Sequence, residues 1–208
     1  MKVLLINGSP KREGCTNRAL GEVAIQLEKN NISSETIWLG TASMQDCIAC
    51  GKCMSTGKCV FDDIVNETAI KLDEADGIVV GSPVYYGGPN GRVCSFLDRL
   101  CYSAGSRLDG MAAACVVSCR RGGASAAYDR INNYFGMTNC MIPASQYWNQ
   151  VHGNTPQEVE QDKEGLQTMR TLADNMAWII KSKIAAKDAG VEYPVREQSE
   201  RTNFIRNI

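Results

Sequence analysis

The strongest constraint on the fold is an alternation of short, continuous apolar runs with segments whose apolar residues recur at helical spacing. Val3–Ile6 is the first such run, and Leu20, Val23 and Leu27 follow it at the spacing of one helix face. A continuous apolar run of strand length is typical of a strand buried on both sides in a parallel sheet. Repeated alternation therefore predicts an α/β domain with helices on both faces of a five-stranded parallel sheet. The predicted strands cover 3–6, 37–39, 77–80, 111–117 and 141–142.

Two helix starts stand out. Asp62 or Asp63 is placed to cap a helix that carries Val65 and Ala69. Thr155–Glu158 reads as a capping box with proline at the first helical position, and it predicts the start of the last helix. The apolar stripe of that helix is expected to be core, and it consists of Leu166, Met169, Ala173, Met176 and Ile180.

Charge and hydropathy exclude several classes of function. The 208 residues include 22 Lys and Arg against 23 Asp and Glu, which argues against a nucleic-acid groove or a polybasic membrane surface. No stretch approaches the roughly 18 apolar residues of a membrane helix. The run before Asn7 is shorter than the apolar core of about 7 to 15 residues in a signal peptide. We therefore expect a cytoplasmic protein with no nucleic-acid and no membrane partner.

In a parallel sheet, ligands bind at the carboxyl ends of the strands, and the first loop there has the features of a phosphate site. The segment 8–17 joins a buried strand to a helix, and it lacks both the Walker A pattern and the dinucleotide fingerprint. Free backbone N–H groups at a helix N-terminus can hold one phosphate. Ser9, Thr16 and Asn17 supply further donors. An ordinary capped turn is the alternative interpretation.

Two further loops at the same edge suit a flat conjugated ring. The segment 82–91 is rich in Gly, Pro and Tyr, which together offer an aromatic wall and backbone amides. In the segment 119–123, an arginine or a backbone N–H could stabilise negative charge on a reduced ring. Tight loops with surface tyrosines are the alternative.

Four of the ten cysteines are clustered, which in a reducing compartment suggests metal or redox chemistry. Cys47, Cys50, Cys53 and Cys59 have a spacing that suits a [4Fe–4S] cluster. Zinc usually takes two separated cysteine pairs and is less favoured, and metal-free thiols remain open. The other cysteines are expected to be apolar fillers. The single histidine, His152, is by base rate more often structural than catalytic.

Three motifs together resemble the flavodoxin-like NAD(P)H-dependent FMN reductases. They are Gly8–Asn17, Gly81–Gly87 and Tyr147–Gly153, and the cysteine segment resembles that of the iron–sulfur flavoprotein branch. The resemblance implies a flavodoxin-like fold of strand order 2-1-3-4-5, with an FMN-binding domain at 1–190. It also implies a homodimer or homotetramer. The tail at 191–208 lies outside the resemblance, and Phe204 and Ile205 suggest docking on a neighbouring subunit.

The resemblance also assigns roles to residues. It implies that Ser9, Thr16 and Asn17 bind the FMN phosphate, with Lys11 or Arg12 nearby. Cys15 departs from the family, which often has asparagine there. A [4Fe–4S] cluster is implied at the four clustered cysteines. The isoalloxazine ring would be lined by Pro83, Val84, Tyr85, Tyr86 and Gly87 on one side and by Cys119, Arg120 and Gly122 on the other.

Three functions remain open on the sequence. The first is an oxidoreductase in which NAD(P)H, stacking transiently on FMN, reduces a quinone, free flavin, azo or nitro compound. The second is an iron–sulfur electron carrier that accepts electrons from a ferredoxin. The third is an FMN-binding module without turnover.

Overall fold

The computed structural model describes residues 1–197 and residue 200, and it contains the expected parallel α/β sheet. Five strands run parallel in the order β2-β1-β3-β5-β6, and a short sixth strand, β4, pairs with β3. The short strand β4 forms a hairpin with β3 and lies outside this path. Without it, β5 and β6 are the fourth and fifth strands, and the order is the predicted 2-1-3-4-5. The strands are β1 (Lys2–Asn7), β2 (Ser33–Trp38), β3 (Gly77–Tyr85), β4 (Gly88–Pro89), β5 (Ala112–Cys119) and β6 (Gln150–His152).

Helices cover both faces of the sheet. They are α1 (Cys15–Lys29), α2 (Cys53–Thr56), α3 (Ile64–Lys71), α4 (Gly91–Leu108), α5 (Ala124–Met137), α6 (Pro156–Val159) and α7 (Lys163–Asp188), with a 3₁₀ turn at Leu72–Glu74. Helices α1 and α7 pack on one face, and α3, α4 and α5 pack on the other.

The strand side chains alternate between these two layers. In β1, Leu4 and Ile6 face the α3–α5 layer, whereas Val3 and Leu5 face α1 and α7. All four are completely buried, so burial on both faces explains why the run is continuously apolar. The predicted stripe of the last helix is confirmed, since all five of its residues are buried against the sheet.

The predicted third strand is too short. It continues beyond Val80 to Tyr85 because Gly81 and Pro83 still pair with β5, opposite Val116 and Ser118. Gly81 allows α1 to approach the sheet, since a Cβ on Gly81 would lie 2.7 Å from Thr16 Cγ2. Ser82–Tyr85 is therefore strand rather than loop.

The predicted fifth strand at 141–142 is wrong. Met141 makes only an isolated bridge with Ala112, and the edge position is filled by β6, which pairs with Val117–Cys119. The three-residue strand Gln150–His152 carries one apolar residue and has no apolar run to mark it.

One of the two helix starts is confirmed and the other needs correction. Asp63 caps α3 by accepting a hydrogen bond from the backbone N–H of Val65, at 3.1 Å. Thr155 caps only the single turn of α6, and α7 starts separately at the cap Asp162, which accepts from Gly165 N at 2.9 Å.

The described part of the tail contacts other residues of the same chain. Tyr193 accepts a hydrogen bond from Asn139 Nδ2 at 3.1 Å, and Arg196 lies 3.7 Å from Asp109. Phe204 and Ile205 fall outside the described residues. Within those residues, no helix combines the length and the apolar character needed to cross a membrane.

Two glycines allow a matched test of the packing at the sheet edge. A Cβ on Gly8 would collide with Val93 and lie 2.9 Å from the backbone oxygen of Gly81, whereas a Cβ on Gly21 in α1 meets nothing within 4 Å. We expect Gly8→Ala to lower the free energy of unfolding by about 2 to 4 kcal/mol through overpacking. Gly21→Ala should raise it by about 0.5 to 1 kcal/mol through helix propensity. Urea denaturation measures both, and equal effects would contradict the assigned packing.

Candidate functional site

The first loop is held against the end of β3 by backbone and side-chain hydrogen bonds. Gly8 N donates to Gly81 O at 2.9 Å, and Asn90 Nδ2 donates to Gly8 O at 2.6 Å. Asn90 also caps α4, because its Oδ1 accepts from Val93 N at 3.0 Å. One buried asparagine thus joins the first loop to the start of α4.

The first loop presents positive charge at the N-terminus of α1. The helix begins after Gly14, which has no side chain to cap the first N–H groups. Lys11 and Arg12 are exposed beside it. Ser9 Oγ accepts from Lys11 N at 3.1 Å, so this predicted phosphate donor also shapes the turn.

A small cleft lies between this loop and β2. It has a volume of about 440 Å³ and is lined by polar residues and one aromatic residue: Asn7, Arg12, Glu13, Asn17, Thr36 and Trp38. Trp38 Nε1 donates to Ser9 O at 2.8 Å, and the Arg12 guanidinium lies 5.6 Å from the tryptophan ring centre. Asn17 faces this cleft, and its Oδ1 is 3.4 Å from Asn7 Nδ2.

Thr16 points away from the cleft. Its hydroxyl is buried and lies 2.8 Å from the hydroxyl of Ser118 at the end of β5. The neighbouring Cys15 thiol donates to Gly153 O at 3.5 Å, and burial raises the pKa of the Cys15 thiol. These two residues therefore connect the first loop to the end of β5 and to the residue that follows β6.

The two predicted ring loops touch each other. The β3–β4 hairpin turns at Tyr86 and Gly87, which have φ of 49° and 80°, and a glycine is favoured at the second. Gly123 has φ of 89°, and a Cβ there would lie 2.8 Å from Gly87 Cα. The hairpin and the segment 120–123 thus form one surface at the carboxyl edge.

The predicted ring-binding residues differ in exposure. Tyr85, Tyr86 and Gly87 are exposed on the hairpin, whereas Pro83 and Val84 are half-buried at its base. Across the contact, Arg120 and Gly122 are exposed, but the Cys119 side chain is buried. Burial raises the pKa of the Cys119 thiol. Cys119 can therefore offer backbone rather than side-chain contact to a ligand.

The segment 147–153, which includes β6, contributes a buried asparagine and the single histidine. Asn149 is buried, and within the described residues its Oδ1 has no hydrogen-bond partner. His152 is exposed, and its Nδ1 lies 3.6 Å from Asp162 Oδ2, which also accepts from the His152 backbone N–H at 2.6 Å. The histidine is thus held by the residue that caps α7.

The four clustered cysteines are not gathered into one site. Cys50 is exposed, and Cys47, Cys53 and Cys59 are half-buried. Within the described residues, no three His, Cys, Asp or Glu side chains lie together as metal ligands. The donor chemistry suits an iron–sulfur cluster, but the arrangement of the thiols does not fit one.

Sequence reasoning missed several residues that build the site. Asn90, Ser118 and Trp38 bind other loops through hydrogen bonds across the fold. The only local signal is at Asn90, since asparagine is a preferred helix cap. The other two contacts join residues distant in the sequence, and no local pattern marks them.

Several solved structures have folds similar to that of this chain. A flavodoxin from the domain Archaea matches with a TM-score of 0.59 and 18% identity over 87% of this chain and 99% of its own. An apo NADH:FMN oxidoreductase matches with a TM-score of 0.63 and 16% identity over 85% and 88%. RosB matches with a TM-score of 0.66 and 16% identity over 98% and 92%. These similarities support a flavodoxin-like fold.

Sequence comparisons identify the family. An iron–sulfur flavoprotein of Methanocaldococcus jannaschii is 32% identical over 191 residues, covering 87% of this chain and 98% of the relative. An iron–sulfur flavoprotein of Methanosarcina thermophila is 25% identical over 186 residues, covering 86% and 95%. The profile of the NADPH-dependent FMN reductases matches residues 1–154. The chain therefore belongs to the NADPH-dependent FMN reductase family, with relatives that are named iron–sulfur flavoproteins.

Proposed function

We propose that the protein is an FMN-dependent oxidoreductase that transfers electrons from NAD(P)H to a small acceptor such as a quinone, free flavin, azo or nitro compound. The observation that carries the proposal is the convergence of the first loop at 8–14, the β3–β4 hairpin at 84–89 and the segment 120–123 on the carboxyl edge of the sheet. Ligands of open parallel sheets bind at this edge. Family membership supports FMN as the ligand.

The first loop fits a single phosphate. The N-terminus of α1 carries partial positive charge, and Lys11 and Arg12 add two exposed cations beside it. Ser9 keeps the turn closed, and Asn17 adds an amide from the cleft. Thr16 acts indirectly in this proposal, because its hydroxyl is engaged by Ser118.

The touching hairpin and 120–123 segment fit a flat ring. Tyr85 and Tyr86 supply aromatic surface, and Gly87 and Gly122 have open space where a Cβ would stand. In this proposal the half-buried Pro83 and Val84 form the apolar base of the ring site, and the Cys119 backbone and Arg120 line its other side. Bound FMN would supply the redox chemistry by accepting hydride and passing on electrons. The protein's residues position it and limit access of water.

A second candidate is an iron–sulfur electron carrier that receives electrons from a ferredoxin. The names of the relatives and the four cysteines at 47–59 favour it. Because the thiols are not gathered in the described structure, we derive no step through a cluster. In both candidates we propose that the FMN domain comprises residues 1–190 and that the protein is a homodimer or homotetramer.

The phosphate contact can be tested by comparing FMN with riboflavin, which lacks the phosphate. Lys11→Ala combined with Arg12→Ala should weaken FMN binding about tenfold or more, since a charge-assisted hydrogen bond contributes about 1.5 to 3 kcal/mol. Riboflavin binding should change by less than about twofold, the scatter expected for a surface substitution. Flavin fluorescence titration measures both affinities.

Lys29→Ala, at the other end of α1, provides the control and should leave FMN affinity unchanged. Equal losses for FMN and riboflavin in the double variant would show that the two cations do not contact the phosphate.

The second candidate predicts close to four irons and four sulfides per chain after anaerobic reconstitution, as a [4Fe–4S] cluster requires about that content. Cys50→Ser should abolish most of this uptake and leave FMN binding intact. Cys94→Ser, on α4 outside the cluster segment, should leave iron content unchanged. Iron and sulfide analysis decides the matter, and absence of iron from reconstituted wild-type protein would eliminate the carrier.

A further inference from the structure

One buried arginine fastens the cysteine loop, defined here as residues 45–63, to helix α4. Arg99 projects from α4, and its side chain has no exposed surface. An arginine side chain carries five N–H donors. All five are used here, and every acceptor belongs to the cysteine loop.

The acceptors lie at both ends of the loop. Nη1 donates to Gln45 O at 3.3 Å, at the start. Near the end, Nε donates to Cys59 Sγ at 3.2 Å, and Nη2 donates to Phe61 O at 3.2 Å. The two carboxylate oxygens of Asp63 each accept at 2.8 Å, which completes a bidentate ion pair. One side chain thus joins the two ends of the loop.

Neighbouring residues reinforce the same attachment. Asn66 of α3 accepts from Cys59 N at 2.9 Å and donates to Cys59 O at 3.0 Å. Ser95, one turn before Arg99 on α4, donates to Asp46. The Arg99 guanidinium also lies 5.1 Å from the Phe61 ring centre. Cys59 is therefore held through its backbone and its sulfur.

The other three clustered cysteines lie on the span between these attachments. Cys50 is exposed, and the chain around it turns at Ala49, Gly51 and Gly57, all with positive φ. Within the described residues, Cys59 alone of the four has a hydrogen bond to its sulfur. The four thiols thus divide into one whose sulfur is hydrogen-bonded and three whose sulfurs have no hydrogen bond within the described residues.

We propose that Arg99 is the positioning residue of the cysteine loop: it fixes Cys59 and both loop ends on α4 without a metal. The Arg99 contacts hold a segment with four cysteines at cluster spacing in place, although its thiols are not gathered into one metal site. The inference depends on neither candidate function, since the attachment exists in the metal-free chain.

The alternative is that Arg99 simply stabilises the whole domain. Removing one partner of a buried ion pair leaves the other uncompensated and is strongly destabilising. The two roles differ in where structure is lost. A positioning residue controls opening of the loop alone, whereas a general stabiliser controls opening of the sheet.

Hydrogen–deuterium exchange of the metal-free, full-length protein separates them. We expect Arg99→Met to accelerate amide exchange at 45–63 by at least about tenfold, while exchange in β5 changes by less than about twofold. The matched control is Arg107→Met, because Arg107 also lies on α4 but contacts Ala69 O and Asp73 outside the loop. It should leave exchange at 45–63 unchanged. No change in the loop, or equal acceleration in β5, would overturn the proposal.

Two further variants keep the test decisive. If Arg99→Met does not fold, Arg99→Met with Asp63→Asn removes the orphaned charge and keeps a residue able to cap α3, and the same criteria apply. Arg99→Lys retains the charge with fewer donors, so its loop exchange should lie between wild type and Arg99→Met. FMN titration of wild-type protein is run in parallel. Its failure would count against the proposed function, and it would leave the exchange result unaffected.

Discussion

The close contact between Gly8 and the end of β3 is the constraint on which the candidate site depends. The backbone of Gly8 is hydrogen-bonded on one side to Gly81 and on the other to Asn90, and no side chain would fit at this position. This contact fixes the direction in which the chain leaves β1 and enters α1. The uncapped N-terminus of α1, Lys11 and Arg12 consequently lie at the carboxyl edge, near the loops that follow β3 and β5. A strand buried on both faces makes the contact rigid, because β1 cannot shift without exposing Leu4 or Leu5.

The parts of the fold that follow from local pattern could be predicted from the sequence. The continuous apolar run Val3–Ile6 and the helically spaced stripe on α7 are both buried, as predicted, and Asp63 caps α3. The parts decided by long-range pairing could not be predicted. Glycine and proline are residue types that strands disfavour, yet pairing with β5 keeps Gly81 and Pro83 in β3. Gln150–His152 becomes a strand only because Val117–Cys119 offers an unpaired edge to it. The same holds for the candidate site. The loops that form it could be identified from the sequence, but the hydrogen-bond partners of Thr16 and Asn90 could not.

Two arginines show how burial decides the use of a charge. Arg12 lies on the first loop, is exposed and stacks near Trp38, so its hydrogen-bonding capacity remains available to an anion. Arg99 is buried, and burial lowers its pKa, but the hydrogen bonds to Asp63 and Cys59 outweigh that effect and the net shift is upward. Its donors are already used within the protein, which makes it a structural cation. In the sequence, Arg99 lies between the buried residues Leu97 and Leu100 and gives no sign of this difference.

Helix α4 supports both the first loop and the cysteine loop. Asn90 holds the first loop at the start of the helix, and Arg99 holds the cysteine loop roughly 13 Å farther along the axis, at 1.5 Å per residue. The helix is regular between these residues, and its break at Ala104, with φ of −137°, comes after both. The two loops are therefore attached to the same regular segment of α4, each through its own hydrogen bonds. A change in the Arg99 attachment can open the cysteine loop without moving Gly8, whereas a change that displaces the first turn of α4 would disturb both loops together.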